Sequence, residues 1–418
     1  MIHPKMRYTY VGIDSHKDTH TAVILNCFCE KLHEVKFINV PGEFENVLTY
    51  IEKYRLVGTT LVFGIEDTTA YGRSLTVFLV GKKLKVKHVN SALVANERKS
   101  SNTYHKTDSF DAECAARVLI NRFDQLPDAD PQDKYWVLSQ LVTRRRSIVK
   151  SNITLKNHLQ AYITNHYPSY DKFYTNIDCK SALAFFDKYP SPSKLEGVTV
   201  EELEQFLRDV TDNRQYKGKA QKILAYVKKD GDTKTDYQEA RDMAVRSTIS
   251  QLNSNTKEIE QIDIIIENFL DNFDYKLESM KGIDTIMAAN LISEIGDIGK
   301  FDTPAKLARY AGIAPITHAS GKNDIQYSNQ RGNRTLNSLF FRLAVAVTMT
   351  AGKNKKVVNP IFYEYYQKKM NEGKTKRQAL KCVERRLVNI IWSMMKYKRE
   401  YINPPTMDLP KKEDDKAS

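Results

Sequence analysis

No stretch of about 18 consecutive apolar residues occurs in this chain, so no segment is predicted to span a membrane. The N-terminal MIHPKMRYTYVGID lacks an apolar signal core ahead of a cleavage site, which predicts a protein that is not exported. Glycine (17) and proline (13) are few among 418 residues, while hydrophobic residues reach 41%. Collagenous, low-complexity and wholly disordered chains are thereby excluded. Cysteine is scarce and odd in number: Cys27, Cys29, Cys114, Cys179 and Cys382 form no C-x-x-C pair and no zinc spacing. Free thiols in a reducing cytoplasm are expected.

Basic charge is abundant. Lys and Arg number 64 against 51 Asp and Glu, a net of +13. The surplus is uneven: residues 351–400 hold 14 basic and 4 acidic side chains, a net of +10. Such an excess points to a polyanionic partner, nucleic acid first, although a basic surface can also be merely solvated.

At roughly 150 residues per domain, the length allows two or three domains. Residues 7–90 alternate between strand and helix patterns. Strands are predicted over Tyr8–Asp14, Thr19–Asn26 and, more weakly, Glu34–Val40, followed by a helix over Pro41–Lys53 with Phe44, Val47, Leu48 and Ile51 on one face. Thr60–Glu66 is an apolar run without alternation, as in a strand buried on both faces. A helix over Tyr71–Gly81 and a strand over Lys85–Val89 follow. Three leading strands, the first two joined by a short polar turn, predict a mixed sheet with an RNase H-like strand order. Residues 107–165 read as helical. Leu141, Ile148, Leu155 and Tyr162 recur every seven residues, with Leu138 and Leu159 on an alternate seam that Arg145 and Asn152 interrupt. A second long helix is predicted over about 236–278. Together these predict an antiparallel helical arm or short coiled coil carrying a small insert. Residues 279–350 read as helices joined by glycine-containing loops.

Four acids stand out. Asp14 ends the first strand and Glu66 ends another. Asp108 and Asp111, three apart in KTDSFDAECAARVL behind a candidate cap at Thr107, share one helix face. Singly, each has an ordinary explanation: a turn residue, a solvated strand end, or a pair favoured by the helix dipole. If the two strands lie side by side, four carboxylates from three elements converge at one end of a sheet. Such a cluster suits hard divalent cations, Mg²⁺ or Mn²⁺, and two such ions suit in-line attack at a phosphodiester.

VGIDSHKDTH, FGIEDT and KTDSFDA resemble the D-E-D-D signature of the RuvC-like domain in the one-hundred-and-ten family of bacterial insertion-sequence transposases. MKGIDTIMAANLISEIGDIGKFDTPAKLARYAGIAP, HASG and RGNRTLNSLFFRLAVAV resemble that family's C-terminal transposase domain. The resemblance covers about 7–165 and 279–350, in the family's order; residues 170–235 and 351–418 lie outside it. It implies a RuvC-like catalytic domain over 1–125 and a serine-bearing transposase domain over 279–350; from the residues themselves, 126–278 reads as the helical arm with its insert, 351–402 as a basic helical extension and 403–418 as a disordered tail. The resemblance also implies that Asp14, Glu66, Asp108 and Asp111 bind metal, and that Ser320 attacks the DNA backbone and holds one end as a phosphoserine. The implied partners are donor and target DNA, a non-coding bridge RNA that pairs with both, and further copies of the chain in a dimer or tetramer. The implied location is the bacterial cytoplasm, at the nucleoid.

Read from its residues alone, Ser320 lies in a polar loop between Pro315 and Gln326, where an ordinary turn is the plain explanation. No His/Asp relay surrounds it, and His318, two residues away, is a weak base candidate. A metal at a neighbouring acidic site can replace such a base by polarising the phosphate. Gly282, the helix Thr285–Glu294, Gly296 and Gly299 resemble a helix-hairpin-helix, which offers backbone N–H groups to phosphate. Arg331 and Arg334 open the next helix, with Lys322 beside Ser320; Arg144, Arg145, Arg146 and Lys150 lie on the first long helix. All are candidate nucleic-acid contacts. The run KTKRQALKCVERR, with Tyr363, Tyr365 and Tyr366 upstream, mixes cations and aromatics as RNA-binding surfaces do.

Besides a recombinase working through Ser320, two readings stay open: a hydrolytic junction nuclease that uses water, and a non-catalytic nucleic-acid-binding protein. Tyrosine-recombinase chemistry has no supporting Arg/His/Tyr constellation despite 23 tyrosines.

Overall fold

The structure is a computed structural model. It describes residues 3–402 except 69, 102–106, 130, 212–217, 321, 322, 328, 330, 331 and 352–355, and only the backbone of 316–320, 323–327 and 351. The tail 403–418 lies outside the described residues. The chain divides into two compact units, Met1–Val137 and Leu138–Ser418.

The first unit is built on a five-stranded sheet. Its strands are β1 (Tyr8–Ser15), β2 (Thr19–Leu25), β3 (Lys31–Ile38), β4 (Thr60–Ile65) and β5 (Lys85–His88), in the order β3-β2-β1-β4-β5. β1 and β2 pair antiparallel, as do β2 and β3, whereas β4 joins β1 in parallel and β5 joins β4 in parallel. The mixed sheet is therefore as expected, and its order is consistent with an RNase H-like domain. The third strand begins at Lys31 rather than Glu34. It is the sheet edge and mostly half-exposed, so its hydrophobic pattern is weak. Helices α1 (Phe44–Glu52), α2 (Arg73–Gly81), α3 (Ser91–Ser100) and α4 (Asp108–Arg122) complete the unit.

Strand side chains alternate between two cores. Val11, Ile13, Ala22, Ile24, Phe63 and Ile65 face the buried side of α1 and α2, where Phe44, Val47, Leu75 and Leu79 lie. Tyr10, Val23, Leu25 and Val62 face α4, whose Ala112, Ala115, Ala116 and Leu119 fill the other side. Gly12 lies on this second face. A Cβ there would collide with the backbone oxygen of Ala112 and the backbone nitrogen of Ala116, and would come within 2.8 Å of Ala116 Cβ. α4 therefore lies against the backbone of β1.

The second unit starts within α5 (Asp133–His166). Three short helices, α6 (Lys180–Lys188), α7 (Val200–Val210) and α8 (Lys219–Asp230), precede the long α9 (Gln238–Leu270). Asn255 Nδ2 donates to Asn152 Oδ1 at 2.7 Å, and Arg145 donates to Asp263 Oδ2 at 2.9 Å. Partner numbers rise on α5 as they fall on α9, so the two helices run antiparallel. These two polar residues of the alternate seam are thus satisfied in pairs, which lets that seam face α9; Leu138, Asn152 and Leu159 are buried, while Tyr162 of the other seam is exposed. α9 stops at Leu270, short of 278, where the Asn272 side chain donates to the Phe269 carbonyl at 2.8 Å and takes over a last-turn acceptor. Aromatic residues of the insert, Tyr167, Phe173, Tyr174, Phe185 and Phe186, form one core with Leu159 and Ile249.

Beyond the arm lie α10 (Thr285–Ile295), α11 (Pro304–Tyr310), a hairpin of β6 (Ile316–Ser320) and β7 (Asn323–Tyr327), α12 (Arg334–Thr348), α13 (Pro360–Asn371) and α14 (Lys376–Tyr397). α14 packs as part of this unit: its Val383, Leu387, Val388 and Ile391 are buried, and Trp392 Nε1 donates to the Phe301 carbonyl at 2.7 Å. Among the described residues, no helix is long and apolar enough to cross a membrane.

Glu384 of α14 is 3% exposed. Burial pushes its carboxyl above the ordinary glutamate range, against the lowering pull of Lys381, whose Nζ lies 2.8 Å away. The ionised form is the penalised one in the folded state. Its cost is absent below the unfolded pKa and grows as pH rises through the raised folded value. Glu384→Gln is expected to raise the melting temperature at neutral pH by about 2 °C, a gain that vanishes in acid where both states are protonated. Thermal melts across pH check this; an unchanged or lower neutral-pH melting temperature contradicts it.

Candidate metal centre

Parallel pairing places Ile13 opposite Ile65, so Asp14 and Glu66, each one residue further on, leave the sheet side by side. Asp14 is only 8% exposed. On its other flank, antiparallel pairing sets Asp14 opposite Thr21 and Thr21 opposite Lys36. A single row therefore crosses the sheet from Lys36 through Thr21 and Asp14 to Glu66, all on the α4 face.

α4 supplies the other two acids. Thr107 caps the helix by accepting from the Phe110 N–H at 3.2 Å, which opens it at Asp108. Close approach at Gly12 then carries Asp108 and Asp111 to the end of β1. Asp111 is 6% exposed and accepts a hydrogen bond from Arg98 of α3. Asp108 accepts from Lys36 Nζ at 3.1 Å. His16 Nε2 lies 3.0 Å from Asp14 Oδ2 and 3.3 Å from Asp108 Oδ1. Asp67, next to Glu66, faces another way. Its carboxylate accepts from the Ala70 and Tyr71 N–H groups at 2.8 Å and shapes the loop after β4.

The electrostatics follow from this crowding. Burial pushes the Asp14 carboxyl above the ordinary range; His16 pulls it down, while Asp111, Glu66 and Asp108 each push it further up. The other three acids thus all act on Asp14. Asp108 is held below the usual range, chiefly by its hydrogen bond from Lys36 and further by His16.

Two features fit a bound divalent cation. Ligand atoms of Asp14, His16 and Asp108 lie within 4.8 Å of one another. The Thr21 hydroxyl, in a residue 2% exposed and opposite Asp14 in register, has no hydrogen-bond partner. A cation with its bound water relieves both the carboxylate repulsion and the orphaned hydroxyl. The residues whose ligand atoms converge are Asp14, His16 and Asp108, with Glu66 and Asp111 acting electrostatically on Asp14 beside them.

Four neighbours escape sequence reasoning: His16, Thr21, Lys36 and Arg98. Only His16 carries a local signal, since it follows Asp14 by two positions in VGIDSHKDTH.

The remaining candidates belong to the second unit. Ser320 is the last residue of β6, paired with Asn323; the expected polar loop is a hairpin, because Ile316 through Ser320 find ladder partners in β7. Lys322 and Arg331 lie outside the described residues. Arg334 is exposed at the start of α12, behind Asn333, which caps it by accepting from the Leu336 N–H at 2.9 Å. Arg144 pairs with Glu258 at 2.7 Å, Arg145 with Asp263, and Arg146 with Asn290 and Glu294 at 3.2 and 3.4 Å. These three cations bind the helices of the second unit together, while Lys150 is exposed. On α13, Tyr365 has Arg386 and Lys369 over its ring, 4.9 and 5.5 Å from the centroid, so protein cations already cover it.

Comparison with known proteins identifies the family. A DEDD transposase family model matches residues 11–168, and the model of the transposase IS116/IS110/IS902 family matches 274–367. Together they take in more than half of the chain. The 44.8 kDa protein of insertion element IS116 from Streptomyces clavuligerus is 26% identical over 95% of this chain and 96% of its own length. The pilin gene-inverting protein of Moraxella lacunata is 25% identical over 95% of this chain and 98% of its own. An IS900 protein of Mycobacterium paratuberculosis is 21% identical over 93% and 95%. With its acidic half and its C-terminal half matched in the family's order, the chain belongs to the IS110-type family of insertion-element transposases.

Proposed function

We propose that this protein cuts and rejoins DNA through Ser320, with Asp14, Glu66, Asp108 and Asp111 holding Mg²⁺ or Mn²⁺ beside the reacting phosphate. The observation that carries this reading is the convergence of four carboxylates from β1, β4 and α4 around a buried Asp14. Relatives named for inverting a pilin gene support recombination of DNA rather than its degradation.

When bound, the cation polarises the phosphate and stabilises developing charge on the oxygens. The Ser320 hydroxyl forms a bond to phosphorus as the bond to one sugar oxygen breaks, and the proton lost by serine balances the one gained by the departing hydroxyl. The phosphoester bond is kept on the protein, so rejoining is the same exchange in reverse with a new sugar hydroxyl. Asp14, walled in by β1, β2 and α4, holds its charge where water is scarce. Lys36 and Arg98 orient Asp108 and Asp111. Donor and target DNA are the substrates, a bridge RNA selects them, and the working form is a dimer or tetramer in which one copy's acids can serve another copy's serine. Arg334, Lys322, Arg331 and Lys150 are the basic side chains we assign to nucleic acid; Arg144, Arg145 and Arg146 act first as internal ties.

Ser320→Ala is expected to abolish both strand cleavage and the covalent protein–DNA product, a loss of at least about a thousandfold. Denaturing gels of labelled DNA read both. Full-rate nicking by the variant would instead establish the hydrolytic nuclease, with water as nucleophile.

A further inference from the structure

We infer that His16 is itself a ligand of the metal centre, giving it a nitrogen donor and a preference for Mn²⁺ over Mg²⁺. The inference rests on the reading of the acidic cluster as a metal site and adds a residue outside the D-E-D-D set.

His16 sits in the tight turn between β1 and β2. Its backbone N–H donates to the Thr19 carbonyl at 3.1 Å, and Asn39 Nδ2 donates to the carbonyls of His16 and Lys17 at 3.4 and 3.2 Å. The turn is thereby tied to the end of β3, and the imidazole is carried back over Asp14. The side chain remains 51% exposed, open to an ion arriving from solvent. Nε2 lies 3.0 Å from one oxygen of Asp14 and 3.3 Å from one of Asp108. Neighbouring donors around an octahedral ion with bonds of about 2.1 Å are themselves about 3 Å apart. Nε2 is thus already spaced from each carboxylate oxygen as a neighbouring ligand is, with ligand atoms of all three residues within 4.8 Å of one another, and a cation replaces the imidazole's hydrogen bonds without moving the turn.

Thr21 supplies an independent sign. Its hydroxyl is buried and unpartnered, on the face of the sheet that bears Asp14 and directly opposite it. A water on the metal is the partner it lacks. The consequence is a matter of donor chemistry. Mg²⁺ takes oxygen almost exclusively and keeps its waters, whereas imidazole suits first-row transition ions. A centre in which an imidazole joins the carboxylates therefore discriminates in favour of Mn²⁺.

The test is Mn²⁺ and Mg²⁺ titration of the full chain, with electron-spin-echo spectroscopy of the bound Mn²⁺. The wild type is expected to show modulation from a directly bound imidazole nitrogen. His16→Ala, and His16→Gln as a second variant with a hydrogen-bonding side chain, are expected to lose that modulation. Their Mn²⁺ affinity should fall about tenfold, with Mg²⁺ affinity little changed. Absence of the nitrogen signal from the wild type, its survival in both variants, or an unchanged Mn²⁺/Mg²⁺ ratio overturns the role of His16. Asp14→Asn separates the two levels: it should abolish Mn²⁺ binding, and wild-type binding by that variant would overturn the centre itself.

Discussion

Asp14→Asn is expected to reduce DNA cleavage by at least about a thousandfold while leaving the melting temperature unchanged or higher. The loss corresponds to several kcal/mol of transition-state stabilisation withdrawn with the metal. The stability half of the result follows from the sign of the Asp14 shift. Burial, together with Asp111, Glu66 and Asp108, raises its folded pKa. The ionised carboxylate therefore costs stability at neutral pH, a cost that disappears as pH falls below the unfolded value. Asparagine keeps the shape and removes the charge. Activity lost with stability kept is the mark of a charge held for chemistry. Asp111→Asn provides the contrast: it leaves Arg98 without its anion, so activity and stability should both fall. Cleavage assays beside thermal melts decide the matter. Near-normal cleavage by Asp14→Asn would remove the basis of the proposed mechanism. The same shift predicts that metal affinity weakens on acidification sooner than an ordinary aspartate would dictate.

Gly12→Ala is expected to destabilise the protein by about 3 kcal/mol and to weaken metal binding, although no ligand is changed. The added methyl would meet backbone atoms of Ala112 and Ala116, and helix backbone cannot turn aside as a side-chain tip can. α4 must lift from β1, and Asp108 and Asp111 lift with it. Gly42→Ala is the control, because a Cβ there meets nothing within 4 Å and should cost little. Denaturant midpoints and Mn²⁺ titrations measure both effects. Wild-type metal affinity in Gly12→Ala would mean that the site does not depend on this contact.

Much of the first unit is legible in the chain because buried strands need apolar runs. The patterns at Tyr8–Asp14, Thr19–Asn26, Thr60–Glu66 and Lys85–Val89 each correspond to a strand within a residue. The edge strand is harder to bound, since one half-exposed strand needs few apolar residues. The hairpin that bears Ser320 is hidden for a related reason: THAS and NDIQ carry no alternation, and only cross-strand pairing makes them strands. On α5, heptad spacing identifies two seams but cannot rank them. The polar seam faces α9 because Arg145 and Asn152 meet Asp263 and Asn255, partners more than a hundred positions away.

By itself, then, the amino-acid sequence determined the mixed sheet, the long helices and the four acids at element ends, since periodicity and caps act over a few neighbouring residues. Tertiary structure alone decided that His16, Thr21, Lys36 and Arg98 surround those acids. Their meeting is the product of three strand registers and one helix pressed against Gly12. Each register is set by burial summed over a whole strand, so no short stretch of chain contains the information.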